Sequence, residues 1–360
     1  ELEISRGRHR QARIYPHNPE LILEGEAGRG TGREDSSDRR DLRGARIGLE
    51  QVLEIRGQRG LRSRVAESDE ARSEWEVQET ERDVVSAAMR AFSEVLIAQE
   101  RLGLAREMVD LFSRLKGTAE DLARAGAVPE LDALRAEVER RRMATRITLE
   151  ENALAAARGN LSLLIGVPQG SPFGVTGLLL FEPIKGGLQE LAAAARARRP
   201  DLKADEAALQ SATAALRLVR AERVLPSVTL SASYLRSADY DAYNQRGILG
   251  VSVPLPLLNR REGDLAAAEA AVRKGEAQRQ RTLARIEKEV TIAYEAYAAG
   301  QKVVNEFAAR IVPAHEENVR LIEQGYRLGE FRLTEALLAQ RDLFETRSGY
   351  LEAIAAHNRA

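Results

Sequence analysis

Ser227-Val228-Thr229-Leu230-Ser231-Ala232-Ser233-Tyr234 alternates with a period of two. Consecutive side chains of a strand point to opposite faces, so Val228, Leu230, Ala232 and Tyr234 fall on one face and Ser227, Thr229, Ser231 and Ser233 on the other. One side of this strand is oily and the other wet. Further along, Leu249, Val251, Val253, Leu255 and Leu257 alternate with Gly250, Ser252, Pro254 and Pro256. They predict a partner strand whose prolines mark an end where pairing stops. Ser237 to Arg246 reads as the polar hairpin loop between them.

The first half of the chain carries the same plan. Pro19-Glu20-Leu21 opens a strand over Leu21 to Glu26, and Ile47 to Ile55 forms its partner before Gly57 and Gly60. Gly28-Arg29-Gly30-Thr31-Gly32 and the charged stretch to Arg43 read as the loop. Matching points lie roughly two hundred residues apart, which predicts duplication of one unit. An ordinary soluble hairpin with a long tip satisfies the same alternation. Arg10 to Asn18 reads either as the tail of a helix matching one from Asp201 to Val224, or as a frayed basic terminus.

Long helices follow each hairpin. From Leu61 to Leu115 there is no proline, and Val85, Ala88, Phe92, Val95, Leu102, Ala105, Val109 and Phe112 recur at threes, fours and sevens, a coiled-coil-like seam. Some fifty helical residues span roughly 75 Å, too long to fold inside a globule. Ala125-Gly126-Ala127 predicts a reversal, with Pro129 as the first residue of a second helix that ends before Gly166-Val167-Pro168. After the apolar run Leu178-Leu179-Leu180-Phe181 and an Ala-rich helix from Leu188, the helical pattern returns from Asp264 to Arg310 and again from Pro313, with a reversal at Leu328-Gly329-Glu330. The expected organisation is a first repeat over residues 1–166 (hairpin about 19–56, helices about 57–165), a connector over 167–200, and a second repeat over 201–360 (hairpin about 226–258, helices about 260–360).

Composition narrows the function. Of 360 residues, 54 are basic and 55 acidic, finely interleaved, so no bulk field argues for nucleic acid. Cysteine is absent, which removes thiolate metal sites and catalytic cysteines. The four histidines, His9, His17, His315 and His357, share no helical spacing that would chelate a metal. Acidic residues such as Glu137 and Glu139 sit three or four positions from Arg140 and Arg141, the pattern of solvated helix faces rather than of acid–base catalysis. The glycines at Gly28 to Gly32 lead into a charged loop, not a helix, so they are no phosphate loop. Trp75, alone on a long helix, is expected to pack at a seam or interface. No catalytic centre, cofactor site or metal site emerges. No run reaches the roughly 20 apolar residues of a membrane-crossing helix, so any insertion must use strands. The chain starts at Glu1 without an apolar leader, which suggests a processed or trimmed terminus.

Four amphipathic strands cannot close a barrel in lipid, where small barrels need about eight. Several copies must contribute, and helices leaving the strands in one direction would stack into a second, polar-lined cylinder. A soluble coiled-coil scaffold is the alternative that the helical part alone allows.

Three segments carry a resemblance to the outer membrane factors of bacterial efflux and secretion systems, the TolC-like proteins. They are Asn18-Pro19-Glu20-Leu21 through Glu26, Gly48-Leu49-Glu50-Gln51 through Gly60, and Val253-Pro254-Leu255-Pro256-Leu257-Leu258-Asn259-Arg260-Arg261-Glu262-Gly263. The last two look most like the CzcC-like subgroup, which works with heavy-metal resistance pumps. The turns at Arg124 to Gly126 and Arg327 to Gly329 extend the likeness over nearly the whole chain.

The resemblance implies a mostly α protein with a transmembrane β part: a homotrimer with a twelve-stranded barrel in outer-membrane lipid on a periplasmic α-helical tunnel. It implies a passive exit duct for a periplasmic adaptor and an inner-membrane RND-type pump, with heavy-metal cations as cargo, or drugs or proteins in other branches. The family's adaptor-docking turns fall here on Arg124, Gly126, Ala127 and Val128 and on Arg327, Leu328, Gly329 and Glu330, although both glycines are also ordinary helix-ending residues. Glu335 matches a ring carboxylate at the tunnel entrance, and Asp132 and Tyr326 match latch positions. Phe331 stands where the family latch has an arginine, which departs from that closing mechanism.

Overall fold

The computed structural model describes the chain apart from residues 32–38, 169–172, 178, 180–183, 225–226, 240–241 and 360, with backbone alone at 28–31, 39–43, 238–239 and 242–243. Leu178, Leu180, Phe181 and Pro226, and the tips of both hairpins, lie outside the described residues. In chain order the elements are α1 (Leu2–Ala12), β1 (Glu20–Thr31), β2 (Arg39–Leu53), α2 (Gln58–Arg124), α3 (Glu130–Ile165), α4 (Leu188–Arg198), α5 (Pro200–Val224), β3 (Val228–Asp239), β4 (Ala242–Ser252), α6 (Glu262–Glu306), a π-helical turn (Phe307–Ile311), α7 (Val312–Leu328) and α8 (Leu333–Arg359). A helix, a hairpin and long helices thus occur twice in the same order.

Contacts gather the chain into two compact units, residues 1–79 with 198–285 and residues 80–197 with 286–360. Each unit takes corresponding parts of both halves. The first holds an antiparallel sheet in the order β1-β2-β3-β4, with β1 and β4 as its edges. Both hairpins are longer than the sequence suggests. Gly28 pairs with Leu42 and Thr31 with Arg39, and Ala238 pairs with Tyr243, so residues read as loop are strand. Ladder bonds use the backbone, and polar side chains do not forbid them. At the other end β4 stops at Ser252, short of Val253, Leu255 and Leu257, because Pro254 and Pro256 have no N–H to donate.

Beside the sheet, α1 lies against the start of α2 through Ser5 Oγ and Ser73 Oγ at 2.7 Å and His9 Nδ1 and Glu70 at 2.5 Å. This helix occupies Leu2–Ala12, so of the Arg10–Asn18 segment, read as a helix tail or a frayed terminus, Arg10 to Ala12 are helical and the rest is not. Tyr15 ties the chain after it to β2, its hydroxyl donating to the Val52 carbonyl (2.9 Å) and accepting from the Glu54 N–H (2.8 Å). α5 and α6 approach closely where Gly275 of α6 faces Leu209 of α5, a Cβ there standing 3.2 Å from the leucine side chain, and Ala204, Ala207 and Ala214 of α5 and Thr282 of α6 are buried. Asp201 joins them, accepting from Arg199 and from Arg285, each at 2.8 Å. Burial alone would raise its pKa, but these guanidiniums hold the carboxyl below its ordinary range.

The second unit is helical. Ala91, Val95, Leu96, Ala98 and Leu102 of α2 meet Leu154 and Leu161 of α3, and Phe173, Val175 and Leu179 of the connector cover them. Val95, Leu102, Ala105 and Phe112 of the expected seam are buried, whereas Val85 and Phe92 are exposed. Trp75, in the first unit, is half-buried. No break separates α6 from α7. Where the sequence suggests a stop between Arg310 and Pro313, a π turn carries the helix through. Pro313 lacks the N–H for an i−4 bond, and the wider π loop accommodates it. Pro129 is the N-cap of α3 (φ −69°, ψ 146°) rather than its first helical residue.

Candidate functional site

Two regions carry the chemistry, one in each unit. In the first, the ladder register puts Leu21, Leu49, Ala232 and Leu249 in one row across the sheet, and Leu23, Ile47, Tyr234 and Gly247 in the next. Leu230 and Val251 extend the same face. These side chains are exposed, Leu249 to 88%. On the opposite face Thr229, Ser231 and Ser233 are half-buried. There Arg46 donates to Ser233 Oγ (3.1 Å) and to Glu24 (3.3 Å). Gly48 is required on that face, since a Cβ would stand 2.9 Å from the Cβ of Ser233. The sheet is turned inside out relative to a soluble one: the oily side is bare. The other side, mostly polar but carrying Ile22, Leu235 and Ile248, is half-buried along β2 and β3, while Glu24 and Ile248 on the edge strands stay exposed. An open sheet of this polarity needs an apolar solvent on one face and partners for both edges.

The second region is the pair of helix reversals in the other unit. α2 ends with Arg124, exposed and paired with Asp121. Gly126 follows with φ +72°, and the N–H groups of Ala127 and Gly126 close onto the carbonyls of Leu122 and Ala123, each at 2.9 Å. α7 ends the same way. Gly329 has φ +80°, and the N–H groups of Glu330 and Gly329 close onto Gly325 (2.8 Å) and Tyr326 (3.1 Å). Both are Schellman closures, in which a left-handed residue costs least as glycine. Ala127, Arg327, Leu328 and Glu330 are exposed, and Val128 is half-buried.

Behind the turns, Leu115 and Ala119 of α2, Ala136 of α3, Tyr326 of α7 and Leu333 and Ala336 of α8 form one buried cluster. Tyr326 is 2% exposed, and its hydroxyl has no hydrogen-bond partner among the described residues. Burial, with a smaller contribution from the Asp132 charge, pushes its pKa up. Asp132 is therefore near enough to act on Tyr326 electrostatically, while its own ion pair is with Arg135 at 3.5 Å. A cavity of about 10 Å³ beside the ring is lined by Arg114, Thr118, Glu323 and Arg327. Phe331 folds back onto Gly325, where a Cβ would meet its ring at 2.3 Å. Glu335 is exposed and reaches back to the N–H of Arg332 at 2.7 Å, the carboxylate half of a capping box at the start of α8.

Residues the sequence did not single out complete the arrangement. Gln340 is fully buried, donating to Glu323 at 2.8 Å. Arg347 joins three helices, donating to Glu107 of α2 (2.8 Å) and Glu316 of α7 (2.6 Å). The signal for Gln340 was a polar residue on the apolar face of α8; Arg347 left none. Glu137, which the sequence does mark as part of a solvated helix face, pairs with Arg140 (2.8 Å) and Arg141 (2.6 Å), whose hydrogen bonds hold its carboxyl far below the usual range. Among the described residues no group of three or more His, Asp or Glu side chains converges as a metal site would require.

The comparisons with known proteins agree with this geometry. A family described as "Outer membrane efflux protein" matches residues 3–167 and 191–360. The cobalt-zinc-cadmium resistance protein CzcC of Cupriavidus metallidurans is 26% identical over 359 residues, 98% of this chain and 80% of the relative. Among solved structures, the outer membrane protein VceC of Vibrio cholerae superposes with a TM-score of 0.71 at 18% identity, covering 99% of this chain and 89% of VceC. CusC, whose crystal structures concern folding and transmembrane channel formation, gives a TM-score of 0.70 at 18% identity, covering 99% and 85%. At such identities the structural likenesses establish the fold.

Proposed function

The chain belongs to the outer membrane efflux protein family, and from that premise we propose that it is the exit duct of a tripartite pump for heavy-metal cations. Its place is the outer membrane. The observation that carries the reading is the inside-out sheet, with Leu21, Leu23, Ile47, Leu49, Leu249 and Val251 bare on one face and two unpaired edges. In lipid every backbone group must be satisfied, so an open four-stranded sheet has to close with others. A homotrimer pools its strands into a twelve-stranded barrel, the apolar face toward lipid and the serine face toward the lumen. The repeats over 1–166 and 201–360, joined by 167–200, supply one hairpin each. Exposed Leu131, Leu134 and Val138, at helical spacing on α3, suit contact with another copy in the tunnel wall.

The two reversals form the periplasmic end, where a periplasmic adaptor docks on the loops at Gly126 and Gly329 and links the duct to an inner-membrane RND-type pump. Glu335, repeated threefold, places carboxylates around the entrance and favours cations. Tyr326, Asp132 and Phe331 sit at the closure. Cation cargo follows the likeness to the cobalt-zinc-cadmium resistance protein of Cupriavidus metallidurans, and the duct itself spends no energy. The test is complementation: cells holding a divalent-cation pump and adaptor but lacking their outer-membrane channel should regain zinc and cadmium tolerance when the full-length protein is supplied. Recovery of drug tolerance alone would overturn the cargo assignment.

A further inference from the structure

The apolar pattern of the second hairpin outlasts its strand. After Leu249 and Val251, the residues Val253, Leu255, Leu257 and Leu258 are all exposed, Leu258 completely, although β4 has ended at Ser252. Prolines 254 and 256 remove this segment from ladder pairing, and a short turn from the Leu257 N–H to the Leu255 carbonyl (2.9 Å) shapes it.

Its far end is held firmly. Arg223 donates to the Arg260 carbonyl (3.0 Å), the Arg261 N–H donates to Asn259 Oδ1 (3.0 Å), and the Arg261 guanidinium pairs with Glu222. Arg261 is the one non-glycine residue with positive φ (51°) among the described residues. Such a conformation persists where surrounding contacts over-determine it. The ladder pins one end and this strained anchor the other, so the leucines are displayed by a built loop. The matching segment of the first half, Glu54-Ile55-Arg56-Gly57, has a single exposed aliphatic side chain, Ile55, and its Glu54 is paired with Arg62. A strand-to-helix connection of this fold therefore does not in itself require an apolar tip.

We infer that Val253–Leu258 is a membrane-interface anchor, its leucines sunk at the boundary of acyl chains and headgroups and Arg260 set against lipid phosphate. The inference rests on the reading of the sheet's apolar face as lipid-facing. Lipid is the occupant because the alternation that sets Leu249 and Val251 on that face runs on in sequence through Val253, Leu255 and Leu257, and because the exposed cation Arg260 stands two residues past Leu258. Apolar side chains flanked by arginine are the chemistry of an interfacial segment.

These 360 residues contain no cysteine, so a nitroxide label placed among them meets no competing thiol within them. Full-length Leu257→Cys and Leu249→Cys proteins, labelled and reconstituted in phosphatidylethanolamine–phosphatidylglycerol vesicles, are compared by collision with oxygen and with a water-soluble nickel chelate. Both labels should meet oxygen more often than nickel, with position 257 nearer the headgroups. If Leu257→Cys does not assemble, Leu255→Cys carries the same expectation. Oxygen dominance at 249 with nickel dominance at 257 overturns this inference and leaves the sheet reading standing. Nickel dominance at both overturns the two together. A label at 257 shielded from both reagents and broadened by neighbouring labels means that a second copy covers the segment, and the anchor is wrong.

Discussion

The two helix reversals, roughly two hundred residues apart, share a backbone and differ in nearly everything attached to it. Gly126 and Gly329 adopt the same left-handed conformation and close the same pair of hydrogen bonds. Around Gly329, however, Phe331 clasps Gly325, Tyr326 is buried behind the turn, and Glu335 caps the next helix. Around Gly126, Pro129 occupies the N-cap and has no N–H for Asp132 to accept from, so Asp132 turns to Arg135. What the two turns share is what the chain needs to reverse direction. The specialised side chains lie at one of them, and that turn is where gating is proposed.

The largest effects should fall on what the turns share. Gly126→Val and Gly329→Val each force a β-branched residue into positive φ and should cost about 1–2 kcal/mol alike, measured by thermal unfolding of the helical circular dichroism signal. Unequal costs would show that the two closures are not equivalent. Next comes the clasp. Gly325→Ala drives a Cβ into the Phe331 ring and should cost about 1 kcal/mol, with much of the loss recovered in the Gly325→Ala/Phe331→Leu double variant. Additive losses would mean that the clasp contributes nothing.

Tyr326→Phe should be neutral or stabilising by up to about 1 kcal/mol, because it removes a buried hydroxyl that has no hydrogen-bond partner among the described residues. The phenol's pKa is raised above its ordinary 10.0 by burial and by Asp132. The folded chain therefore keeps a proton that the unfolded chain gives up, and stability falls as pH rises through and beyond that value. Tyr326→Phe should show a shallower fall in Tm above pH 10. An increase in channel opening by this variant would instead make the hydroxyl part of a latch. The smallest contrast is between the caps: Glu335→Ala should cost about 1 kcal/mol and Asp132→Ala about half of that, since only Glu335 holds a backbone N–H.

Much of this was legible beforehand because glycine and proline act locally. Gly166 and the two turn glycines end helices as their sequence context predicts, and Val95, Leu102, Ala105 and Phe112 of the seam are buried, with Val109 half-buried. Misreadings came where a local signal was outvoted. Charged residues such as Arg39 and Arg40 suggested loop, yet backbone pairing carries the strands through them. Pro313 suggested a break, yet a π turn absorbs it. In the candidate site, the turn positions could be placed from sequence, but the contact of Phe331 with Gly325 and the burial of Gln340 depend on the register of several packed helices. A buried hydroxyl without a hydrogen-bond partner among the described residues, as at Tyr326, leaves no trace in a sequence.

If identical chains pool open, inside-out sheets into one membrane pore, the purified full-length protein should conduct in single-channel recordings from a planar bilayer. Discrete, long-lived conductance steps are expected, with a cation preference that weakens in Glu335→Gln. Protein that stays dissolved without detergent and leaves the bilayer silent would rule the pore out.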